Sequence, residues 1–380
     1  MRLYEFEGID LFCREGIPVP DYALAGSPKE AWEKAQEIGL PVMVKAQVLT
    51  GGRWLAGGVK TAQSLDEVEK AASHILDSSI RGLPVQQVMV ARKVETAREF
   101  YLGVTVDEYH GTPMAILSAE GGVSINEIAN NRPESVVSMP VSITKGLLPS
   151  EAWHMCREVG LSGKELTQVA DILSALYRVF RNYDALVAEI NPLARTPQGD
   201  YLALDAKVEI DDSGLFRHPE LNLALENRIP NPLERKGREI GVTYVELDGD
   251  IAIIASGAGL GMASMDIISQ RMRPANFLET GGAITADLLY KVMDLVLQKK
   301  GIRAVFINVY GGINPIHEGA KGVVRYMQEH NVTIPVMAKA LGNHQEETWE
   351  IFKEHGVHVV TDVSTEKGIE QLARLLEVGT

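Results

Sequence analysis

RAVFINVYGGINP (Arg303–Pro315) is an apolar run that stops at two glycines and restarts on Asn-Pro. Short apolar runs of this kind read as parallel strands buried on both faces. Asn314 is then the expected N-cap and Pro315 the expected first residue of a following helix. The same grammar recurs in IAIIASGAG (Ile251–Gly259), ANFLETGG (Ala275–Gly282), PVMAKALG (Pro335–Gly342) and HVVTDVS (His358–Ser364), each followed by a helical segment. A strand–helix period of this length predicts an open, doubly wound α/β domain over residues 246–380. Such folds take ligands at the carboxyl ends of their strands. Here those ends carry Gly257-Ala258-Gly259, Gly281-Gly282 and Gly311-Gly312. Backbone N–H groups at a glycine turn and helix start suit an anion, although an ordinary strand–helix connection looks the same. His317, one turn further, reads as a solvated residue more than an anion contact.

Upstream the texture differs. Residues 229–245 contain IPNPLERKGREIGV, polar and Pro-containing, and read as a linker. Residues 1–228 are mixed α/β. LYEFEGIDLFCREGI (Leu3–Ile17) has helical spacing. Ser27-Pro28-Lys29-Glu30 is an N-cap, a proline at the first helical position and a capping-box glutamate, and Gly39 ends that helix. Ser64 and Glu67 make a second capping box. PVMVKAQV, VKTAQ, VQQVMVA, FYLGVTVDE and MAILSAEGG are strand candidates, and ELTQVADILSALYRVFRNYD (Glu165–Asp184) is an amphipathic helix. Lys45 ends an alternating strand, and a buried lysine needs an anionic partner; an edge-strand lysine is the plainer reading. TGGRWLAGGVK (Thr50–Lys60) holds four glycines and two cations. Glycines let backbone N–H groups wrap a phosphate, but this is not a Walker loop.

EINPLARTPQGDYLALDAKVEI (Glu189–Ile210) reads as a hairpin of two strands turning at Pro197-Gln198-Gly199. Alternation puts Leu186, Ala188 and Ile190 on one face and Val187, Glu189 and Asn191 on the other. A register centred on Gln198 sets Asn191 opposite Asp205 and Glu189 opposite Lys207. An amide oxygen beside a carboxylate is a hard-oxygen set suited to Mg²⁺. A solvated face with a Glu–Lys cross-strand pair accounts for the same pattern.

The chain has 380 residues, 45% hydrophobic and 23% charged, enough for two or three domains of an ordinary globular protein. A net charge of −14 argues against nucleic-acid or anionic-membrane binding. The cysteines are Cys13 and Cys156, so there is no disulfide framework, multi-Cys zinc site or nucleophile signature. No signal-type segment or membrane-spanning run is read, and a cytoplasmic location is expected. No pair of histidines has ligand spacing; His355 and His358 straddle Gly356.

Taken in order, LYEFEGIDLFCREGIPVP, KAQVLTGGRWLAGGVK, EFYLGVTVDE, EINPL…LDAK, SGAGLGMASMD, PANFLETGG and NVYGGI resemble the β subunit of succinate–CoA ligase along essentially the whole chain. The resemblance implies an ATP-grasp N-terminal region, with residues about 20–95 as an inserted lid, followed by a flavodoxin-like ligase domain. It implies a heteromer whose α subunit carries the CoA site and a phosphorylated histidine. The reaction implied is carboxylate, CoA and ATP or GTP to acyl-CoA, NDP and phosphate. By position, the resemblance assigns Lys45, Gly51, Gly52 and Arg53 to nucleotide phosphates, and Val94 and Glu99 to nucleotide contacts. Asn191 and Asp205 become Mg²⁺ ligands. Glu189, near the phosphohistidine, and Arg53 become the catalytic candidates. Ser256, Gly311, Gly312, Ile313 and Asn314 line the phosphate and carboxylate site.

The chain also departs from the family pattern. Ser256 replaces a usual asparagine at a substrate contact. The loop reads Gly311-Gly312-Ile313-Asn314-Pro315-Ile316-His317 where Val-Arg-Cys-Asp usually follows GGI. Ala91 stands where an acidic nucleotide contact is usual, and Trp54 where glycine is common. Exchanging hydrogen-bonding groups in a pocket changes discrimination strongly. Two further readings are therefore carried: the same chemistry on another small acid, such as malate or a larger or sulfonated carboxylate, and a non-catalytic nucleotide-binding scaffold.

Overall fold

Local signals start most helices where the sequence places them. Ser27 caps α2 (Pro28–Ile38) by accepting from Glu30 N at 3.2 Å, and Gly39 closes it at φ 87°. Ser64 does the same for α3 (Leu65–Leu76). The computed structural model describes residues 1–123, 125–223, 228–229 and 231–378, and these fall into two units, Met1–Leu223 and Ala224–Thr380.

The first unit opens with α1 (Glu5–Arg14). β1 (Tyr22–Ala25), β2 (Val42–Ala46), β3 (Val59–Ala62) and β6 (Val88–Arg92) form a four-stranded antiparallel sheet in the order β1-β6-β2-β3. α2 and α3 cover it over Val42, Val44, Val68, Ile75 and Val90. β4 (Ser79–Ile80) and β5 (Leu83–Pro84) are a small separate pair. A second sheet holds β7 (Arg98–Asp107), β8 (Thr112–Ser118), β9 (Val136–Pro140), β10 (Ala185–Arg195), β11 (Tyr201–Ala203) and β12 (Lys207–Ile210). Its order is β11-β10-β7-β8-β9, with β12 also on β10. α4 (Ile125–Asn131) follows β8, and α5 (Pro149–Glu158) and α6 (Gly163–Asn182) precede β10. α6 buries Leu166, Val169, Leu173, Leu176 and Phe180 at helical spacing. They join Phe12, Phe100 and Leu102 in one core, which also holds α1 against this sheet.

The hairpin register is the expected one: Leu193 pairs with Ala203, and Glu189 with Lys207. It is not two unbroken strands, however. The ladder lapses between Ala203 and Lys207, opposite Asn191-Pro192, where Pro192 has no N–H to donate. The β10–β7 register also shifts between Ile190 and Leu193. A bulge here re-aims Asn191 rather than continuing the pleat. A second shift, beside Leu186, turns that side chain out to 40% exposure, against its expected place on the apolar face.

In the second unit, β14 (Ile251–Ala255), α8 (Ala258–Ser269), β15 (Asn276–Glu279), α9 (Ala286–Gln298), β16 (Ala304–Gly311), α10 (Ile316–Glu329), β17 (Val336–Gly342), α11 (Gln345–Glu354), β18 (His358–Val360) and α12 (Thr365–Val378) alternate as predicted. The parallel order is β15-β14-β16-β17-β18. Two apolar clusters cover the sheet, one including Ile254, Ile307 and Ala338, the other Ile253, Phe306 and Met337. The expected linker 229–245, of which Pro230 lies outside the described residues, is not a plain linker. It carries α7 (Pro232–Glu239) and the start of β13 (Thr243–Glu246), which pairs antiparallel with β15. Asn231 caps α7, accepting from Leu233 N and Glu234 N, with Pro232 at the first position. That Asn-Pro signature was read as linker polarity.

β16 and β17 end side by side at Gly311 and Gly342. Gly342 has φ 113°, and a Cβ there would collide with Gly311 O. Gly342→Ala is expected to destabilise by roughly 1–3 kcal/mol through strain. Urea unfolding at pH 7 measures it; unchanged stability would show that the strand ends relax freely.

Candidate functional site

The first unit gathers its charged candidates around a residue the sequence reading passed over. Glu5, the first residue of α1, has a side chain only 1% exposed. Lys45 Nζ donates to Glu5 Oε1 at 2.8 Å and to Leu204 O at 2.6 Å. Arg53 Nη1 donates to Glu5 Oε2 at 2.5 Å and to Ala46 O at 3.1 Å. Arg53 Nη2 donates to Asp205 Oδ1 at 2.7 Å. Gln47 Nε2 adds a weaker bond to Glu5 Oε2 at 3.3 Å. One carboxylate thus bridges β2, the glycine-rich loop and α1, and Arg53 carries the chain of contacts to Asp205.

Burial alone would raise the Glu5 carboxyl. The Arg53 and Lys45 charges overcome it and hold the group down, at about 2. Asp205 moves the other way: burial lifts it, Arg53 pulls it down, and the nearby Glu5 charge adds to the rise. The only acid signal for Glu5 in the sequence was its place in the first turn of an amphipathic helix, where acids are common for dipole reasons alone.

Asn191 leaves the hairpin face and binds a loop. Its Oδ1 accepts from Gly122 N at 2.9 Å and its Nδ2 donates to Val123 O at 3.0 Å. Glu99 is beside the same loop, since a Cβ on Gly122 would meet its Oε2. The amide oxygen keeps a second lone pair, and Asp205 Oδ2 accepts no hydrogen bond among the described residues. An amide oxygen and a carboxylate oxygen left free suit a hard divalent cation. Glu189 Oε2 lies 3.2 Å from Lys207 Nζ, the cross-strand pair expected. Burial, then the Glu189 carboxylate, raises the phenol of Tyr101, a neighbour the sequence did not single out. The cluster's contacts do not include Gly51, Gly52 or Val94. Trp54 is 65% exposed, and Ala91 is buried in β6 against the core.

In the second unit the sheet's carboxyl ends bring Ser256 to the Gly311 loop. Ser256 Oγ accepts from Tyr310 N at 2.9 Å, and Ser256 N donates to Asn308 O at 3.3 Å. Gly311 is required, because a Cβ would strike Ile316 and Asn314 O. Ile313 is fully presented, at the tip of the loop. α10 begins one residue later than expected. Asn314 does not cap it; its amide is drawn across to Gly282 O, and Pro315 takes the cap position without a side-chain bond. Gly282, Ile284, Thr285, Asn314, Pro315 and Glu318 line a shallow cleft there. His317 is not solvated as expected: its side chain is 13% exposed and its Nδ1 is buried without a partner among the described residues. No helix among the described residues is long and apolar enough to cross a membrane.

Comparison with known proteins bears on these two units. A family model described as an ATP-grasp domain matches residues 2–195, and one described as CoA-ligase matches residues 254–372. The chain is 41% identical over 371 residues to a succinate–CoA ligase [GDP-forming] subunit beta of Thermus thermophilus, covering 97% of this chain and 98% of that one. It is 42% identical over 348 residues to the [ADP-forming] subunit beta of Chloroflexus aurantiacus, covering 91% and 92%. The structure of ATP citrate lyase from Methanothrix soehngenii, solved with citrate and coenzyme A, superposes with a TM-score of 0.79 over 98% of this chain and 99% of that one. At 18% identity that likeness concerns the fold.

Glu5→Gln is expected to cost roughly 3–5 kcal/mol, because it leaves two cations without their buried counter-charge. The folded carboxyl titrates below its ordinary value of 4.5. Its stabilisation is therefore complete above about 4.5 and is lost as pH falls toward 2. Urea unfolding of both proteins at pH 7 and pH 3 measures this. The gap between them should narrow at pH 3, and equal stabilities at pH 7 would contradict it.

Proposed function

The chain belongs to the succinate–CoA ligase β-subunit family, and from that premise we propose that it is the nucleotide-binding subunit of an NDP-forming acid–CoA ligase. The observation that carries this reading is the Glu5-bridged set of Lys45, Arg53 and Asp205, a desolvated pair of cations beside two oxygen donors. Phosphoryl transfer asks a protein for positioning and charge rather than for a nucleophile. That agrees with a chain whose Cys156 thiol is buried and pushed up to about 12, far from a reactive thiolate.

Lys45 and Arg53, held in direction by Glu5, would supply positive charge to the phosphates of ATP or GTP. Asn191 and Asp205 would hold Mg²⁺, which supplies charge neutralisation at the transferred group when bound. Glu99 and Val94 border the nucleotide. A histidine of an α partner accepts the γ-phosphoryl group as NDP leaves, with Glu189 holding that ring. The phosphoryl group then passes from histidine to a carboxylate oxygen. CoA thiolate displaces phosphate from the acyl phosphate, giving the thioester. The Gly311–Ile313 turn and the start of α10 steady the phosphate, as helix starts do for anions.

For the acid itself, succinate is the reading favoured by the relatives' names. A different small acid has one specific support. The polar groups that depart from the family pattern, Ser256 Oγ and the Asn314 amide, are engaged by Tyr310 and Gly282 backbone. They are thus less available to a succinate carboxylate. A non-catalytic nucleotide-binding scaffold is disfavoured by the intact Lys45–Glu5–Arg53–Asp205 chain.

The purified chain is expected to bind Mg-ATP without turning over, and Asp205→Asn to weaken that binding at least ~10-fold. Calorimetry in the presence and absence of Mg²⁺ reads both; unchanged affinity in the variant would remove Asp205 from the metal site. With the α partner added, thioester formation and NDP release should appear, and a panel of succinate, malate and sulfonated acids ranks the substrates. Robust turnover by the lone chain would overturn the division of labour.

A further inference from the structure

α10 and α11 begin next to each other, sewn together by Ile316 N to Asn343 O at 3.3 Å and Asn343 Nδ2 to Ile313 O at 2.9 Å. Three potential metal ligands meet there. His317 is the second residue of α10. His344 occupies the N-cap position of α11 in the left-handed region at φ 61°, and Glu347 is the third residue of that helix. The imidazole rings lie 4.5 Å apart between centroids. Glu347 spans them, with Oε1 at 3.8 Å from His317 Nε2 and Oε2 at 3.1 Å from His344 Nδ1. All three ligand atoms fall within 4.8 Å of one another. His344 and Glu347 are an i,i+3 pair on α11, but His317 lies 27 and 30 positions before them on α10, so the sequence alone did not bring the three together.

The local charge decides what kind of ligand fits. Glu318 Oε1 is 3.1 Å from His317 Nε2, and Glu346 and Glu347 sit in the first turn of α11. Lys321, paired with Glu318 at 2.6 Å, is the cation of this group. With neutral imidazoles, carboxylates outnumber ammonium groups, so an anion is repelled and a cation attracted. The helix starts oppose a cation, but their effect is screened and confined to the first turn, where these acids already stand. The donor types narrow the choice. Two imidazole nitrogens and one carboxylate suit borderline ions such as Zn²⁺, Co²⁺ or Ni²⁺, whereas Mg²⁺ prefers oxygen alone.

We propose that His317, His344 and Glu347 form a binding site for a divalent transition-metal ion of the zinc type, with a fourth position left for water or an anionic ligand. Zinc–nitrogen distances near 2.0–2.1 Å bring tetrahedral ligands to about 3.4 Å from one another. The widest spacing, within 4.8 Å at present, therefore has to close by up to about 1.4 Å. The side chains of His344 and Glu347 are about half exposed and can swing. His317 is the fixed member, packed at 13% exposure; its Nδ1 has no partner among the described residues, and Glu318, 3.1 Å from its Nε2, has to yield that nitrogen to the metal. This site differs in donor chemistry from the oxygen pair Asn191 and Asp205, and it stands independently of the proposed reaction.

The test is a Co²⁺ titration of the full-length chain, stripped of metal by chelation, in excess Mg²⁺. It is run on the natural sequence and on an Asp205→Ala background, so that the oxygen pair cannot supply the signal. One equivalent of Co²⁺ should bind in both, with visible absorption of a nitrogen-ligated ion, and Zn²⁺ should displace it. Glu347→Gln and His344→Asn should each weaken binding at least ~10-fold; asparagine tolerates the left-handed backbone at position 344, so loss there is not misfolding. Absence of Co²⁺ bands up to about 1 mM, or equal affinity in both variants, would overturn the proposal.

Discussion

A carboxylate held between a lysine and an arginine with almost no exposure is the constraint on which the first unit depends. Lys45 and Arg53 stand on different pieces of chain, a strand end and a glycine-rich loop. Alone, each would be expensive to desolvate. Glu5 makes their burial tolerable and fixes their directions at once, because its two oxygens each take one cation. α1 therefore has a positional duty beyond covering the core. Its apolar face, Ile9, Leu11 and Phe12, locks it to the second sheet, and that packing delivers Glu5 to the cations. The balance of charge matters too. Glu5 and Asp205 match Lys45 and Arg53, so a bound polyphosphate brings negative charge to a group already close to neutral. On the proposed reading, a divalent cation at the oxygens of Asn191 and Asp205 would restore that balance, linking metal and nucleotide binding on electrostatic grounds alone.

The second unit solves a different problem, that of turning a buried strand into an exposed glycine loop within a few residues. Gly311 and Gly342 are the last rung between β16 and β17, and neither has room for a side chain. Beyond that rung, polar side chains bind backbone instead of capping helices. Asn314 reaches Gly282 O, Asn343 reaches Ile313 O, and Ser256 receives Tyr310 N. These bonds tie the ends of β14, β15, β16 and β17 into one rim. The rim is thereby shaped before any ligand arrives, and its free donors are backbone N–H groups of the loop more than side chains.

The strand–helix alternation of residues 251–364 was legible because doubly buried strands leave short apolar runs punctuated by glycine. The hairpin register was legible for an equally local reason: Pro197-Gln198-Gly199 sets its centre, and Glu189 meets Lys207 as alternation requires. What was illegible was long-range or depended on departures from regular pleating. Asn191 leaves the expected face because Pro192 interrupts the ladder and the register slips beside it. Glu5 looked like any first-turn acid, since nothing local records a partner 40 residues on. The segment 229–245 was misread by its polarity, although Asn231-Pro232 carried a helix-start signature that polarity obscured. Asn314 was misread in the opposite sense: the same signature was present, but Gly282 O competes for the amide and wins.

The two charged clusters use the same residue types to opposite effect, and the difference is solvent. Around Glu5 water is excluded, interactions are strong, and each group has a partner in a fixed direction. Such an arrangement keeps the cations in fixed directions, as the proposed phosphoryl transfer would need. Around Glu347 the carboxylates remain half in water, each imidazole meets one of them at 3.1 Å, and the other nitrogen of His317 has no partner among the described residues. Exposed pairs such as His344–Glu347 contribute little to stability, so the fold does not require those two side chains in their present arrangement beside the packed His317 ring. A group of donors whose exposed members the fold does not require, gathered from two helix starts and carrying excess negative charge, is better accounted for by a ligand than by packing.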